Sequence, residues 1–457
     1  MKKVNNYILV IIAVLSFNIS LAQPPSGSIP KDFILPAKKV KSLPNGFRTT
    51  MIQFGSIPKA TISLIIKTGN AHEAANEVWL ADLTGQMMKE GTTHMDFKTL
   101  AKKVAQMGGD VNINVGQTQT TITGTVLSEY VPDFIKVVAD LAMNPAFPAS
   151  ELDRIKGDLK RQLNVDKAVP QSQAREKFFQ AMYKDHPYGQ YYPTEKMLDG
   201  YTLQIVKDFY NKNFGAKRSV LYIAGKFDEA ATTIAAQNGF SKWKPGAAIY
   251  YPPVKNATTH DTLIIDRKGA PQTTIMVGSP TLTPKDKDYI PQVVANSMLA
   301  GSFSSRITTN IRETKGYTYS PAGFVRNVPG SSLWIEQADV TSEHTIDALK
   351  EIEKEINRLG NETPSKDELE GTQKYEAGIF VLRNSDPNAI INQLNFLDLY
   401  HLDDSYLANY VKNVYKVTPE KVSEVVKNNI SYPKMTLIMV GDRDSIQRQI
   451  VSPKKAF

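Results

Sequence analysis

The sequence predicts an α+β fold built from two related halves, each with helices packed on a largely antiparallel sheet. Three observations carry this. The strand-like run 61–66 (TISLII) after Pro58 is echoed by 273–277 (TTIMV) after Pro271, with the two prolines 213 residues apart. The run 220–225 (VLYIAG) is echoed by 436–441 (TLIMVG), their closing glycines 216 residues apart. Helix-like segments in matching order fill the interval between these strands in both halves.

Taken in chain order, the first segment is a leader. Lys2 and Lys3 precede an apolar run, 7–15, and Ser20-Leu21-Ala22 supplies a small-x-small ending. This pattern reads as a secretory signal, 1–22, cut after Ala22. Its apolar core is too short to span a bilayer. No later stretch approaches 18 uncharged apolar residues, so the mature chain is expected to lack an integral membrane segment. Cutting there removes two lysines and no acid, taking the formal net charge from +8 to +6. Helix-like 130–143 then pairs with 343–359, and the amphipathic 150–165 pairs with 365–381. Segments 203–213 and 419–429 are the helix-like stretches that precede the two late strands. Between the halves, 242–262 contains Pro245, Gly246, Pro252 and Pro253 and reads as an extended linker. The domains are therefore 23–241 and 263–457. The repeat is far too long for a solenoid and marks a duplicated domain.

Composition narrows the chemistry. With 41% hydrophobic and 22% charged residues, the 457-residue chain has the make-up of a globular protein with sizeable cores. Cysteine is absent, which excludes disulfides, Cys-ligated zinc, iron–sulfur clusters, a thiol nucleophile and a lipidated cysteine. Six histidines occur, and no H-x-x-E-H or H-x-x-x-H. There is no G-x-S-x-G elbow and no P-loop ending. The charge is mildly basic, and no nucleic-acid motif accompanies it.

Four local motifs carry a family resemblance. They are 300–306 (AGSFSSR), 311–320 (IRETKGYTYS), His186-Pro187-Tyr188-Gly189, and Glu90-Gly91-Thr92. Together with the order of elements, they resemble the inverzincin zinc peptidases, the pitrilysin/insulinase/mitochondrial-processing-peptidase family, over nearly the whole mature chain. The resemblance implies two homologous α/β-roll domains. It also implies a metal helix, where the family places H-x-x-E-H, two zinc ligands and a general base on one helical face. Counting back from Gly91-Thr92, the three functional positions fall on Asp82, Gly85 and Gln86. Neither imidazole is there, and the base position is a glycine. The third-ligand window falls on Arg161-Gln162-Leu163, with Asp158 and Asp166 the nearest acids. His72, beside Glu73 in a turn, and the isolated His94, His260, His344 and His401 read as surface or structural histidines. The chain is thus expected to bind no metal.

In the second half, the resemblance assigns an active-site Arg and Tyr to Arg312 and Tyr319. An arginine fork suits a substrate carbonyl or carboxylate, and a tyrosine hydroxyl suits a developing oxyanion. The residues themselves leave another reading open: Arg312 paired with Glu313 or a nearby acid, and Tyr319 filling a strand edge. Tyr317 competes for the tyrosine role. The pattern implies a non-catalytic subunit of a secreted, periplasmic heterodimeric zinc peptidase. Its partner would be a homologous chain with an intact H-x-x-E-H holding the zinc, and its substrates peptides that add to a sheet edge. The alternative is an inert peptide-binding or scaffold protein of the bacterial envelope. An active single-chain peptidase with unusual ligands is the remaining class.

Overall fold

A computed structural model describes residues 33–255 and 261–451. The leader, 1–22, and His260 lie outside the described residues. The described residues group as one compact unit. It is α+β and contains two sheets, one from each half.

The first sheet has strand order β1-β2-β6-β3-β5-β4. Its strands are β1 (Lys38–Ser42), β2 (Arg48–Gln53), β3 (Lys59–Ile66), β4 (Asn112–Val115), β5 (Thr120–Leu127) and β6 (Ser219–Gly225). The second sheet has the order β7-β11-β8-β10-β9, from β7 (Thr262–Asp266), β8 (Gln272–Pro280), β9 (Ala322–Val328), β10 (Ser331–Thr341) and β11 (Thr436–Gly441). The second order repeats the first without β1. β2 and β6 pair in parallel, as do β7 and β11, and every other pairing is antiparallel. The register repeats too: Ile62 faces Ile223 in the first sheet, and Ile275 faces Met439 in the second.

The helices expected from the pattern are present. Leu203–Asn213 and Pro419–Asn429 precede β6 and β11, and each is capped by a threonine accepting a backbone N–H, Thr202 and Thr418. Val131–Met143 and Ala149–Ala168 in the first half correspond to Thr345–Asn361 and Lys366–Arg383 in the second. One face of each sheet packs on its own helices and forms that half's core, centred on residues such as Leu64, Ile122 and Phe134, or Val277, Trp334 and Ile352.

The other face of each sheet is covered from across the molecule. Helix Pro170–Tyr183 belongs to the first half but packs through Ala174, Phe178 and Met182 against Met276, Ile335 and Ile438 of the second sheet. Helix Pro387–Tyr400 returns the exchange, placing Ile390, Ile391 and Leu394 against Ile52, Ile65 and Tyr222 of the first sheet. The two helices are alike in detail. Each begins with a proline, where a missing N–H costs nothing, and each ends in a residue of positive φ, Lys184 (φ 50) and His401 (φ 52), of which only His401 has the left-handed helical conformation of a C-terminal cap. Each buried aliphatic or aromatic side chain in these contacts stabilises the pairing by roughly 1.5–3 kcal/mol. Polar contacts fix the alignment. Asp398 accepts from Arg48 and Tyr222, Lys67 donates to Asn395, and Gln171 donates to Asp339 over 2.8 Å.

Within the linker, residues 242–255 have no helix or strand and run along the first half, while its last residue, Thr262, already belongs to β7. Trp243 is buried beside Phe47 and Phe240. Arg218 donates to the carbonyls of Ala247 and Ala248, and Tyr251 donates to that of Thr118.

Candidate functional site

Asp82, Gly85 and Gln86 all lie on helix Leu80–Lys89, where their spacing puts them on one face. The helix begins after Trp79, which sits in the left-handed region (φ 67) and offers no side-chain cap. The cap comes from upstream. The buried carboxylate of Glu73 accepts from the backbone N–H of Ala81 at 2.7 Å and of Trp79 at 3.1 Å, satisfying donors that a helix start leaves free. Asn70, on the 3₁₀ turn Asn70–His72, donates to Glu73 at 3.1 Å and to Asp82 at 2.5 Å. Burial raises the Glu73 carboxyl well above the usual carboxylate range, and the nearby Asp82 adds to this. Burial also pushes Asp82 up to about 6.

The position of the general base is closed. A β-carbon built on Gly85 would overlap Cγ2 of Val115, the last residue of β4. Val115 therefore occupies the start of the path a glutamate side chain at this position would take. The third-ligand window is also turned away from metal binding. Leu163 is buried in the first core, Arg161 pairs with Asp158, and Gln162 donates to Asp166 at 3.0 Å. These residues do not fit a zinc ion: they bring no imidazole and no base, and zinc needs at least three ligands. Among the described residues, no group of three or more His, Asp or Glu is disposed to hold a metal.

The histidines have individual structural roles. His72 donates to the Tyr250 carbonyl at 2.9 Å, and burial lowers its pKa to about 4, so it is neutral near pH 7. His186 accepts from the Tyr188 N–H at 3.1 Å and donates to the Pro252 carbonyl at 3.2 Å. Tyr188, fully buried, donates to the Pro329 carbonyl at 3.2 Å. The His186–Gly189 motif thereby fastens both the linker and the second half. His94 pairs with Asp140 at 2.6 Å, and His344 stacks on Tyr317 with ring centroids 4.5 Å apart.

Beside Asp82 lies a cavity of about 170 Å³, with Asn70, Trp79, Gln117, Tyr191 and Arg326 among its lining. Arg326 comes from β9 of the second sheet. Its guanidinium lies 4.4 Å from the centre of the Phe179 ring and donates to Gln117 and, at 3.4 Å, to the Tyr183 hydroxyl. The sequence gives no local sign of this arginine's position. The arginine brought to the degenerate helix is thus Arg326, and Arg312 and Tyr319 are not among the residues lining this cavity.

Arg312 and Tyr319 meet elsewhere. Arg312 lies on the π-helical turn Thr309–Thr314. Its guanidinium lies 4.2 Å from the Phe303 ring centre and 5.0 Å from that of Tyr319. Its Nε also reaches Glu313 at 3.1 Å. Tyr319 is 79% exposed and Phe303 66% exposed. The loop bearing Phe303 is anchored by Arg306, whose fork makes two 2.7 Å hydrogen bonds to Glu368. Tyr317, by contrast, is tied into the second half, its N–H donating to the Ile311 carbonyl at 2.8 Å and its ring held by His344.

Comparison with known proteins agrees with this architecture. Residues 51–193 match the family described as insulinase (peptidase family M16), and residues 200–375 match the peptidase M16 inactive domain. An uncharacterized zinc protease of Rickettsia felis is 22% identical over 85% of this chain and 91% of its own length. A protein of Helicobacter pylori named a non-peptidase homolog, YmxG, is 21% identical over 85% of this chain and 90% of its own. Among solved structures, a peptidase M16 inactive domain from Pseudomonas fluorescens superimposes with a TM-score of 0.81 at 22% identity, covering 89% of this chain and 98% of that one. A protease from Helicobacter pylori gives a TM-score of 0.83 at 15% identity, covering 89% and 100%. With both of its duplicated halves matched and its H-x-x-E-H positions read as Asp82, Gly85 and Gln86, the chain belongs to the inverzincin, or insulinase-like M16, peptidase family and lacks that family's zinc-binding motif.

Proposed function

We propose that this chain is the non-catalytic subunit of a secreted, periplasmic heterodimeric zinc peptidase. Its mature form begins after Ala22 and comprises domains 23–241 and 263–457 joined by the linker 242–262. Zinc and the general base reside in a homologous partner chain with an intact H-x-x-E-H. This chain contributes Arg312, which binds a substrate carbonyl or carboxylate, and Tyr319, whose hydroxyl donates to the oxyanion that forms when water attacks a peptide bond. The observation that carries the reading is the exposed Phe303–Arg312–Tyr319 stack: it presents an arginine fork and a free tyrosine hydroxyl on a chain whose own metal helix is closed at Gly85. To act on substrate, Arg312 must exchange Glu313 for the peptide.

Co-purification with a zinc-bearing homologue from the same cell, followed by peptide cleavage, tests this. Arg312→Ala and Tyr319→Phe are expected to depress turnover with assembly and the partner's zinc intact. Loss of one oxyanion donor costs about 10²–10³ in kcat. Tyr317→Phe is expected to be nearly silent. Parental rates from both Arg312→Ala and Tyr319→Phe complexes would favour the second reading, an inert peptide-binding or scaffold protein of the envelope. The Arg312–Glu313 pair and the relative named a non-peptidase homolog support that second reading.

A further inference from the structure

We propose that the cavity beside Asp82 binds a short zwitterion, a free amino acid or a dipeptide, with its ammonium group on Asp82 and its carboxylate on Arg326. This is independent of the role given to Arg312 and Tyr319 and concerns the chain by itself.

The cavity is lined by two charges of opposite sign, one from each half, and each lacks an ionic partner. Asp82 accepts from the neutral amide of Asn70. Arg326 donates to the neutral Gln117 and Tyr183 and rests on the Phe179 ring. Neither forms an ion pair among the described residues. Such charges lining one pocket are stabilised by a ligand that carries the complementary pair. The guanidinium lining the same space opposes a divalent cation, and an anion alone would leave Asp82 unmatched. A zwitterion satisfies both ends.

The walls fit the same class. The indole N–H of Trp79 donates to the Tyr191 carbonyl at 3.1 Å, and the Tyr191 ring stacks on Phe179 with centroids 5.4 Å apart. Trp79 and Tyr191 therefore form a fixed apolar surface for a ligand side chain, while the side-chain amides of Asn70 and Gln117 hold Asp82 and Arg326 in place. A volume of about 170 Å³ suits a ligand of one or two residues, with a longer peptide having to leave through the open side.

The test is titration calorimetry on the full mature chain with leucine, the dipeptide Ala-Leu, N-acetyl-Ala-Leu and Ala-Leu-amide. Binding of leucine or of Ala-Leu is expected, and the tighter of the two identifies the source of the ligand. Blocking either end is expected to weaken binding at least tenfold, the scale of one lost charge-assisted hydrogen bond. Asp82→Asn is expected to remove the penalty for N-acetylation and leave that for amidation. Arg326→Gln is expected to do the reverse. Equal binding of free and blocked ligands, or no binding of any of them at 10 mM (about the weakest affinity of interest), overturns the proposal. The blocked ligands decide it on the unaltered protein even where a variant fails to fold.

Discussion

Val115 and Gly85 share one space: the valine Cγ2 stands where a β-carbon on residue 85 would have to go. A strand end thus fills the middle of what is, in catalytic relatives, the working face of a helix.

This contact makes the Gly85 position sensitive to the smallest side chain. Gly85→Ala gains about 1 kcal/mol in helix propensity but overpacks against β4, which costs about 1–3 kcal/mol. The single variant is expected to be neutral to destabilised. Combined with Val115→Ala, it is expected to be more stable than the two separate effects predict, with a coupling of about 1 kcal/mol or more in urea unfolding. Strict additivity would show that the two side chains do not compete.

Rebuilding the motif is expected to fail. The triple change Asp82→His, Gly85→Glu, Gln86→His supplies two imidazoles and a base. The introduced glutamate side chain would still meet Val115, Leu163 would still occupy the third-ligand window, and Arg326 would still line the cavity. Metal analysis after zinc loading and washing should find well under one zinc per chain, and peptide hydrolysis should stay at background. One tightly held zinc with cleavage would place the third ligand somewhere other than 161–163.

Asp82 titrates in a measurable window. Its folded pKa, about 6, lies above the ordinary 3.8, so its stabilising contribution is present below about pH 4 and is lost as pH rises through 6. Asp82→Asn keeps an acceptor for Asn70 and removes the charge. It is expected to be more stable than the parent by about 1–2 kcal/mol at pH 8, a figure discounted because the carboxyl faces the cavity, and to match the parent near pH 4. Denaturant unfolding at both pH values checks this. A gain that is the same at pH 4 and pH 8 would remove burial of the charge as its cause.

The exchanged helices couple the halves. Ile390 lies in the second half yet is fully buried against the first sheet. Ile390→Ala is expected to cost about 2–5 kcal/mol and to speed hydrogen exchange in β6, which is remote in sequence. Faster exchange confined to 387–400 would show that the sheet does not depend on this cover.

The duplication is legible in the sequence because each repeated strand or helix carries its own periodicity and boundary. The pair 61–66 and 273–277 and the pair 220–225 and 436–441 needed no tertiary information. The crossing helices were not legible in the same way. Pro170–Tyr183 spaces Ala174, Phe178 and Met182 one helical turn apart, but that spacing marks a buried face without saying that the second half's sheet is what covers it. At the site, Asp82, Gly85 and Gln86 follow from counting along one helix. Val115 and Arg326 do not, because the first meets the helix only through the tertiary packing of β4 and the second arrives from the other sheet. Glu73 falls between these cases: its place beside His72 in a turn is readable, but its service to the helix start depends on the left-handed Trp79.

The reciprocal helices also set a timetable for synthesis. When β6 has left the ribosome, the first sheet has all its strands, but the helix that covers Ile52, Ile65 and Tyr222 has not yet been made. At roughly 5–20 residues per second, that cover arrives on the order of ten seconds later or more. Throughout that interval the nascent chain carries an apolar sheet face with nothing of its own to put on it. Holding chaperones have a defined target there, and a chain truncated before Pro387 would keep that target for good.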